Sequence, residues 1–426
     1  MAPHDDLFKY VHMLKVLIIG FVWPEPNSSG AGVRMMELIR LFLEQKWQVT
    51  YASPAAISEH MANLDALGVS RQLIEVNSSS FDTFVSQLNP DIVLFDRFMM
   101  EEQFGWRVEQ ATPSALRIIE SIDLHLLRDA RHRVVKETLQ VAKDIDKSDL
   151  YSEIAKREIA SFYRSDLTIM ISTYEMELLR EQFSFSDELL HLTPFMFDES
   201  DIVTPTPTYE ARQHFISIGN FRHAPNWDSV RWMNETIWPM IRKELPDAEL
   251  HIFGAYPPKK ATALHKPESG FYIDGWAEDA LNVMKKSRVS LAPLRFGAGI
   301  KGKLADAMLA GTPSVTTSVG MESMHGELDW CGAIADDPEV FAKAAVTLYR
   351  DREGWLKAQR NGYEIIHSLF NKHKNGASLI SRIMAYRENI ETNRSNNFTG
   401  TMLRHHHHRS TEFMSRWIEE KNRERL

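Results

Sequence analysis

Two stretches of this sequence share one pattern, and together they leave few folds open. "KVLIIG" (15–20) is an unbroken apolar run, the mark of a strand buried on both faces. The loop "FVWPEPNSSGAG" follows it. "VRMMELIRLFLEQ" then sets Met35, Ile39 and Phe42 at helical spacing, with Arg34, Glu37, Arg40 and Glu44 gathered on the opposite face. "QVTYAS" (48–53) closes the unit. Strand, loop, helix and strand in this order make a parallel crossover, normally right-handed. Sheets built this way bind ligands at the carboxyl ends of their strands.

The pattern continues through "DIVLFD" (91–96), "LRIIES" (116–121), "DLTIMIS" (166–172) and "LLHLTPF" (189–195) as strands. A polar helical stretch is expected from Asp129 to Phe162, and a helix in "TYEMELLREQF". Residues 198–212, "DESDIVTPTPTYEAR", are polar, hold two prolines and read as a linker. The pattern then restarts. "HFISIGN", "AELHIFG", "GFYIDG", "VSLAPL" and "PSVTTS" read as strands, and "NWDSVRWMNETIWPMIRKEL" and "AEDALNVMKKS" as helices. A chain of 426 residues exceeds one ordinary core. The expectation is an α/β protein of two Rossmann-like domains, 13–197 and 213–385, with a helical tail at 386–426. The tail beyond Thr392 is expected to be loosely held.

The second start carries the more specific loop, "PLRFGAGIKGKLADAMLAGTPSV" (293–315). A strand, a glycine loop and a helix aim backbone N–H groups and the positive helix end at an anion. Ile300, Leu304, Ala307 and Met308 form one apolar face, and Lys303 and Asp306 lie side by side off it. Lys301, in the first turn, opposes the helix dipole unless an anion is near. The plain alternative is a glycine turn with solvated lysines. The earlier "SSGAG" (28–32) is similar, and there a tight helix packing accounts for Gly30 and Gly32 equally well. Neither loop fits a nicotinamide fingerprint: Met35 stands at the third glycine position and the second strand ends without an acid. Neither has the P-loop lysine spacing.

"VSLAPLRFGAGIKGKLADAMLAGTPSVTTSVGMESM" resembles the donor-binding segment of GT-B-fold glycosyltransferases, particularly the retaining family 4 (glycosyl transferases group 1). "VLIIGFVWPEPNSSGAGVRMMELIRLF", "SDLTIMISTYEMELLREQF" and "FISIGNFRHAPNWDSVRWMNETIWPMIRKELPDAELHIFG" support it, so the similarity spans roughly residues 14–385. The resemblance implies two Rossmann-like domains facing across a cleft, with a C-terminal helix that often crosses back to the first domain, the alternative to a loosely held tail. It implies a nucleotide-diphosphate sugar donor held by the second domain and a glycan, lipid-linked or small-molecule acceptor held by the first. It gives the diphosphate to the N–H groups of Gly297, Ala298, Gly299 and Ile300, and its charge to Lys301 or Lys303 with Arg295. Asp306 stands where the family has a glutamate bonding the ribose. Gly30 and Gly32 would let the first domain approach phosphate and sugar. His125, flanked by Asp123 and Arg128, matches a histidine of the sugar pocket, and Trp276 a position near the base. The sequence departs from the family where Ala298 replaces the first of two glutamates. It departs again where Asn220, with Arg222 nearby, replaces an arginine after the glycine. Retention through the departing phosphate oxygen needs no carboxylate pair, and neither metal nor cofactor is implied.

The remaining features set limits. Net charge of −9 argues against nucleic acid as a partner. The lone Cys331 fits a reducing compartment. The N-terminal apolar run is too short for a signal or a span. A cytoplasmic protein, with scope for peripheral membrane contact, is expected. "DID" at Asp144–Asp146 is assigned to a polar, helical surface rather than a metal site, and His405–His408 to a histidine tract without an assigned metal. Trp227, Trp232 and Trp238 are expected to pack. Two rivals remain: a nucleotide-sugar 2-epimerase on the same fold, and a non-catalytic partner protein, which Ala298 would favour.

Overall fold

A computed structural model describes residues 13–405 and 409–423. The first sheet comprises β1 (Lys15–Ile19), β2 (Gln48–Ser53), β3 (Ser70–Leu73), β4 (Ile92–Asp96), β5 (Leu116–Glu120), β6 (Leu167–Met170) and β7 (Leu190–Leu192). Their order is β3-β2-β1-β4-β5-β6-β7, and all pairings are parallel. The second comprises β8 (Gln213–Ile218), β9 (Leu250–Phe253), β10 (Phe271–Gly275), β11 (Ser287–Ala292), β12 (Ser314–Thr316) and β13 (Gly332–Ile334), in the order β10-β9-β8-β11-β12-β13. It too is parallel.

The apolar runs explain the layering. Leu17, Ile19, Val93 and Phe95 face one core, and Val16, Ile18, Ile92 and Leu94 the other. Successive strand residues point to opposite faces, so only an uninterrupted run can fill both. The strand order reverses beside β1 and beside β8, and the crevices that open there are where such sheets take ligands. The loops holding Gly30 and Gly297–Gly299 leave from these edges.

Several expectations need correction. Arg34 and Glu37, on the face opposite the apolar one, are buried rather than set apart from the core, and Arg34 pairs with Glu37 at 3.3 Å and Glu120 at 3.2 Å. The helical stretch expected over 129–162 is broken into His125–Thr138, Lys147–Leu150 and Glu153–Arg164. Asp144–Asp146 fall in the intervening loop, on the surface but not on a helix. β3 and β13 were not legible. β3 is an edge strand of exposed side chains, and β13 has three residues, so neither shows an apolar period. Trp232 and Trp238 are core residues and Trp227 packs against them, as expected.

The chain crosses between the domains at Phe197 and returns at Lys372. The two crossings hold each other: Phe197 N–H donates to Phe370 O (2.7 Å) and Lys372 N–H to Phe197 O (3.0 Å). The helix Lys372–Glu388 then buries Leu379, Ile383 and Tyr386 in the first domain's core. Residues 372–385 therefore pack with the first domain, not the second. The tail beyond Thr392 is docked rather than loose. Arg394 forks onto Asp166 at 2.7 and 2.8 Å, and Asn397 donates to Tyr163 O at 2.7 Å. His406–His408 lie outside the described residues. Among the described residues no group could hold a metal, and no helix is long and apolar enough to cross a membrane.

Asp166 is 1% exposed at its side chain. Burial alone would raise its pKa, but Arg117 and Arg394 bring it below the ordinary aspartate value. Removing one partner of a buried pair strands the other charge. Arg394→Ala is expected to lower stability by about 3 kcal/mol, read from denaturant unfolding. A change below about 0.5 kcal/mol would show that tail docking contributes nothing.

Candidate active site

The two glycine loops face each other. Ser29 caps the helix Gly30–Glu44 by accepting from Gly32 N–H at 3.0 Å. A Cβ on Gly32 would lie 2.4 Å from the backbone C and O of Glu25, so helix and loop pack too closely for a side chain. A Cβ on Gly30 would meet nothing within 4 Å, whereas one on Gly302 of the second domain would lie 3.6 Å from the Gly30 Cα. Gly30 thus stands opposite the start of the helix Gly302–Leu309. Second-domain side chains hold the first loop. Asn220 Nδ2 donates to Ser28 O (3.2 Å), Trp276 Nε1 to Asn27 O (2.9 Å), and the Tyr256 hydroxyl to Glu25 (3.1 Å).

The second loop is held by the first domain. Gly299 has φ +65°, and a Cβ there would lie 3.0 Å from both the Asp123 Cβ and the Ile122 carbonyl oxygen. Its N–H donates to Glu175 Oε1 at 2.7 Å, an oxygen that also accepts from Leu124 N–H. Glu175 is fully buried, and burial, with the Asp123 charge beside it, pushes its pKa up to about 7. Gly297 O accepts from Arg131 (2.9 Å), and that buried guanidinium forks onto Glu322 at 2.9 and 2.5 Å. Ser323 Oγ takes the Tyr174 N–H at 3.0 Å. Ala298 packs into the first domain's core, and Ile300 packs beside Leu304 and Phe195.

Of the four expected diphosphate donors one is engaged within the protein, and the N–H groups of Gly297, Ala298 and Ile300 meet no acceptor among the described residues. Gly299 N–H is taken by Glu175. The backbone N–H groups of Gly302 and Lys303, in the first turn of their helix, meet no acceptor among the described residues. Lys301 sits at the N-cap, not in the first turn; it is buried and its ammonium bonds Gly299 O. Burial lowers its pKa, and Glu322 and Glu175 stand close enough to oppose that. Lys303 does not pair with Asp306. Its Nζ donates to Asn226 Oδ1 (2.7 Å) and lies 2.9 Å from where a Cβ on Gly219, at the end of β8, would be. Burial, then repulsion from Lys301, pushes its pKa down to about 7. Asp306 is partly buried, has no hydrogen-bond or ion-pair partner among the described residues, and is pushed up to about 7 by burial.

His125 opens the helix His125–Thr138. Its N–H and that of Leu126 donate to buried Glu158 at 3.0 and 2.9 Å, a carboxylate on a helix N-terminus. The ring packs edge-on against Phe98, with Nε2 3.5 Å from Asp123. Burial pushes its pKa down to about 3, more than Asp123 restores, so the imidazole is neutral. Asp123 is ion-paired with Arg128. Burial would raise Asp123, but Arg128 and His125 hold it well below the carboxylate range. His125 and the Gly299 loop thus meet through Asp123.

Three expected donor contacts are engaged otherwise. Arg295 forks onto Asp228 at 2.9 and 2.5 Å and donates from Nη1 to Leu139 O at 3.0 Å, so its charge is already paired. Arg222 lies over the Tyr256 ring at 3.6 Å. Trp276 stacks on His60 of the first domain at 4.5 Å. Glu175, Glu158 and the Arg131–Glu322 pair were not found by sequence reasoning. "STYE" at Ser172–Glu175 carries the signature of an N-terminal helix cap, and Ser172 Oγ does accept from Glu175 N–H. The side chain's reach across the cleft leaves no local trace.

Residues 212–351 match the sequence model of the family described as Glycosyl transferases group 1. A protein encoded in the cps region of Klebsiella pneumoniae, described as uncharacterized, is 24% identical over 229 residues; the match covers 51% of this chain and 56% of that relative's length. Among solved structures, sucrose-phosphate synthase of Thermosynechococcus elongatus superposes with a TM-score of 0.63 at 15% identity, covering 89% of this chain and all of the other. Anabaena HepE, solved with UDP-glucose, superposes with a TM-score of 0.65 at 12% identity, covering 87% and 100%. These likenesses show the GT-B fold: two Rossmann-like domains facing across a cleft.

The Asp306 shift has a stability consequence. Its folded pKa, about 7, lies above the ordinary 3.8. The folded state therefore binds the proton more tightly, and this group's stabilisation is present at low pH and lost as pH rises through about 7. Asp306→Asn is expected to flatten that decline and to gain most over the parent protein above neutrality. Thermal unfolding midpoints across this range check it, and parallel profiles for the two proteins would refute it.

Proposed function

We propose that this chain transfers a sugar from a nucleotide-diphosphate sugar to an acceptor hydroxyl, with retention of configuration. One observation carries the reading: the open N–H groups of Gly302 and Lys303 start a helix that faces Gly30, with Lys303 and the unpartnered Asp306 beside them. Helix start and lysine suit a diphosphate, and Asp306 suits a neutral donor group such as a ribose hydroxyl. The family match covers this segment, and the HepE structure contains UDP-glucose.

As the sugar–phosphate bond breaks, charge grows on the diphosphate, and Lys303 with the helix start stabilises it where it forms. The departing phosphate oxygen takes the proton of the acceptor hydroxyl as that oxygen bonds the anomeric carbon. Neutral His125 orients a sugar hydroxyl. Lys301 acts through Gly299 O and the interdomain charges, not on the phosphate directly. Arg295 shapes the loop through Asp228. This step uses neither a metal nor a cofactor. A hexose is the expected sugar, and a growing surface glycan or lipid-linked sugar the expected acceptor; the relative from a cps region supports a polysaccharide pathway. The working place would be the cytoplasmic side of a membrane.

The Lys303 pKa gives a direct test. A bound diphosphate raises a lysine pKa from about 7, so binding near pH 8 should take up a proton. Calorimetry with UDP and a panel of nucleotide sugars, in buffers of different ionisation enthalpy, should show this uptake. Lys303→Met should abolish it and weaken binding about tenfold or more. Product mass with candidate acceptors then identifies transfer. No binding of any nucleotide sugar to the folded protein would overturn the enzyme reading, and turnover to an epimer without acceptor would replace it.

A further inference from the structure

The helix Arg409–Arg423 is docked with its polar side inward. It lies on the helix Phe98–Ala111 of the first domain. Its bonds there are polar: Arg107 Nη2 to Ser415 Oγ (3.0 Å), Gln110 to Glu412 (2.9 Å), and Ser79 N–H to Glu419 (3.0 Å). Phe413, Met414 and Trp417 point outward, 69%, 58% and 58% exposed. Burying such side chains is worth about 1.5–3 kcal/mol each, so a helix packing only on its own domain would turn them inward.

The feature extends beyond this helix. Phe398 and Met402, on the helix Phe398–Leu403, are also exposed. That helix packs on Glu153–Arg164, which itself packs on Phe98–Ala111, so both tail helices cover one flank.

Charge selects the occupant. The helix Arg409–Arg423 holds four Lys and Arg against three Glu, in a chain whose net charge is −9. On the last helix Glu412 and Glu419 turn toward the protein, while Arg416, Lys421 and Arg423 stay outside, Arg416 reaching back to Glu412 at 2.8 Å and Arg423 to Glu419 at 3.5 Å; Lys421 Nζ lies 4.8 Å from the Trp417 ring. Glu420 is the outward acid, and Arg423 pairs with it at 3.2 Å. A helix lying flat in a bilayer interface puts aromatic and aliphatic groups at the acyl boundary and lets basic side chains reach lipid phosphates.

We propose that the helix Arg409–Arg423 is a docking face for an anionic lipid surface, entered by Phe413, Met414 and Trp417 and held by Arg416 and Lys421. The anchor is independent of the donor site, and it would bring the cleft to acceptors that reside in a membrane.

Flotation of the full chain with phosphatidylcholine vesicles, with and without phosphatidylglycerol, tests this. The protein is expected to float with the anionic vesicles and to stay behind with the neutral ones. Phe413→Ser combined with Trp417→Ser should reduce flotation about tenfold or more, with the unfolding midpoint unchanged because both side chains face solvent. Arg416→Glu with Lys421→Glu should reduce it in a salt-dependent way. Absence of flotation with anionic vesicles, or flotation that both double variants retain, overturns the proposal. So does concentration-dependent dimerisation abolished by the serine pair, which would assign the face to a second copy of the chain. Nucleotide-sugar calorimetry on the same variants keeps a failed anchor distinct from a failed donor site.

Discussion

The cleft depends on Gly299. Its left-handed φ and the 3.0 Å approach to Asp123 leave no room for a side chain. Its N–H ends on Glu175 of the opposite domain, and the residues on either side are fixed as a result. Ala298 enters the first domain's core, and Gly297 O meets Arg131. Glycines here serve the approach of one domain to the other. The start of the helix Gly302–Leu309, three residues along the chain, has no side-chain cap and faces Gly30, which is why the proposed function puts the diphosphate there.

Two partly buried groups near that helix start are shifted toward neutrality from opposite sides. Lys303 falls to about 7 and Asp306 rises to about 7. Each shift is the cost of burying a charge that lacks a counter-ion. They do not cancel each other, because the two side chains are not paired. A diphosphate beside Lys303 would restore its charge. A hydroxyl beside Asp306 would supply the hydrogen-bond donor its carboxylate lacks. Both shifts suit the proposed donor, which has an anionic end and a neutral polar end. His125 is kept neutral by burial and suits contact with sugar hydroxyls rather than with phosphate.

The sequence made the sheets legible because a parallel strand buried on both faces leaves an unbroken apolar run, as at Val16–Ile19. It hid β3, whose edge side chains are solvated, and β13, too short to show a period. It placed both glycine loops on the edges that face each other, and His125 and Lys303 beside them. It failed where a side chain's partner lies far along the chain. Arg295 read as a free cation because Asp228 is 67 residues away. Arg131–Glu322 spans 191 residues and Glu175–Gly299 spans 124. Periodicity reports which face a residue occupies, not what waits there. The tail misled for a related reason: its docking is polar, and polar docking resembles solvation in sequence.

Magnitudes separate what must give way for a donor to enter from what can stay. The first loop is tied by Asn220 to Ser28 O, Trp276 to Asn27 O and Tyr256 to Glu25. The first two are neutral bonds worth about 0.5–1.5 kcal/mol net, the third about 1.5–3. Charge-assisted bonds to a diphosphate can replace them. The Arg131–Glu322 pair is another matter: its guanidinium is fully buried, and breaking such a pair costs about 3–5 kcal/mol. The easier route to an open site is a shift of the Glu25–Ser28 segment and its second-domain partners. The Arg131 clasp and the Phe197–Lys372 crossing can then keep the domains in register. On this reasoning Gly30 matters for what its surroundings leave open: a Cβ there would touch nothing within 4 Å, and that space, bounded by Gly302, is where the first loop can yield.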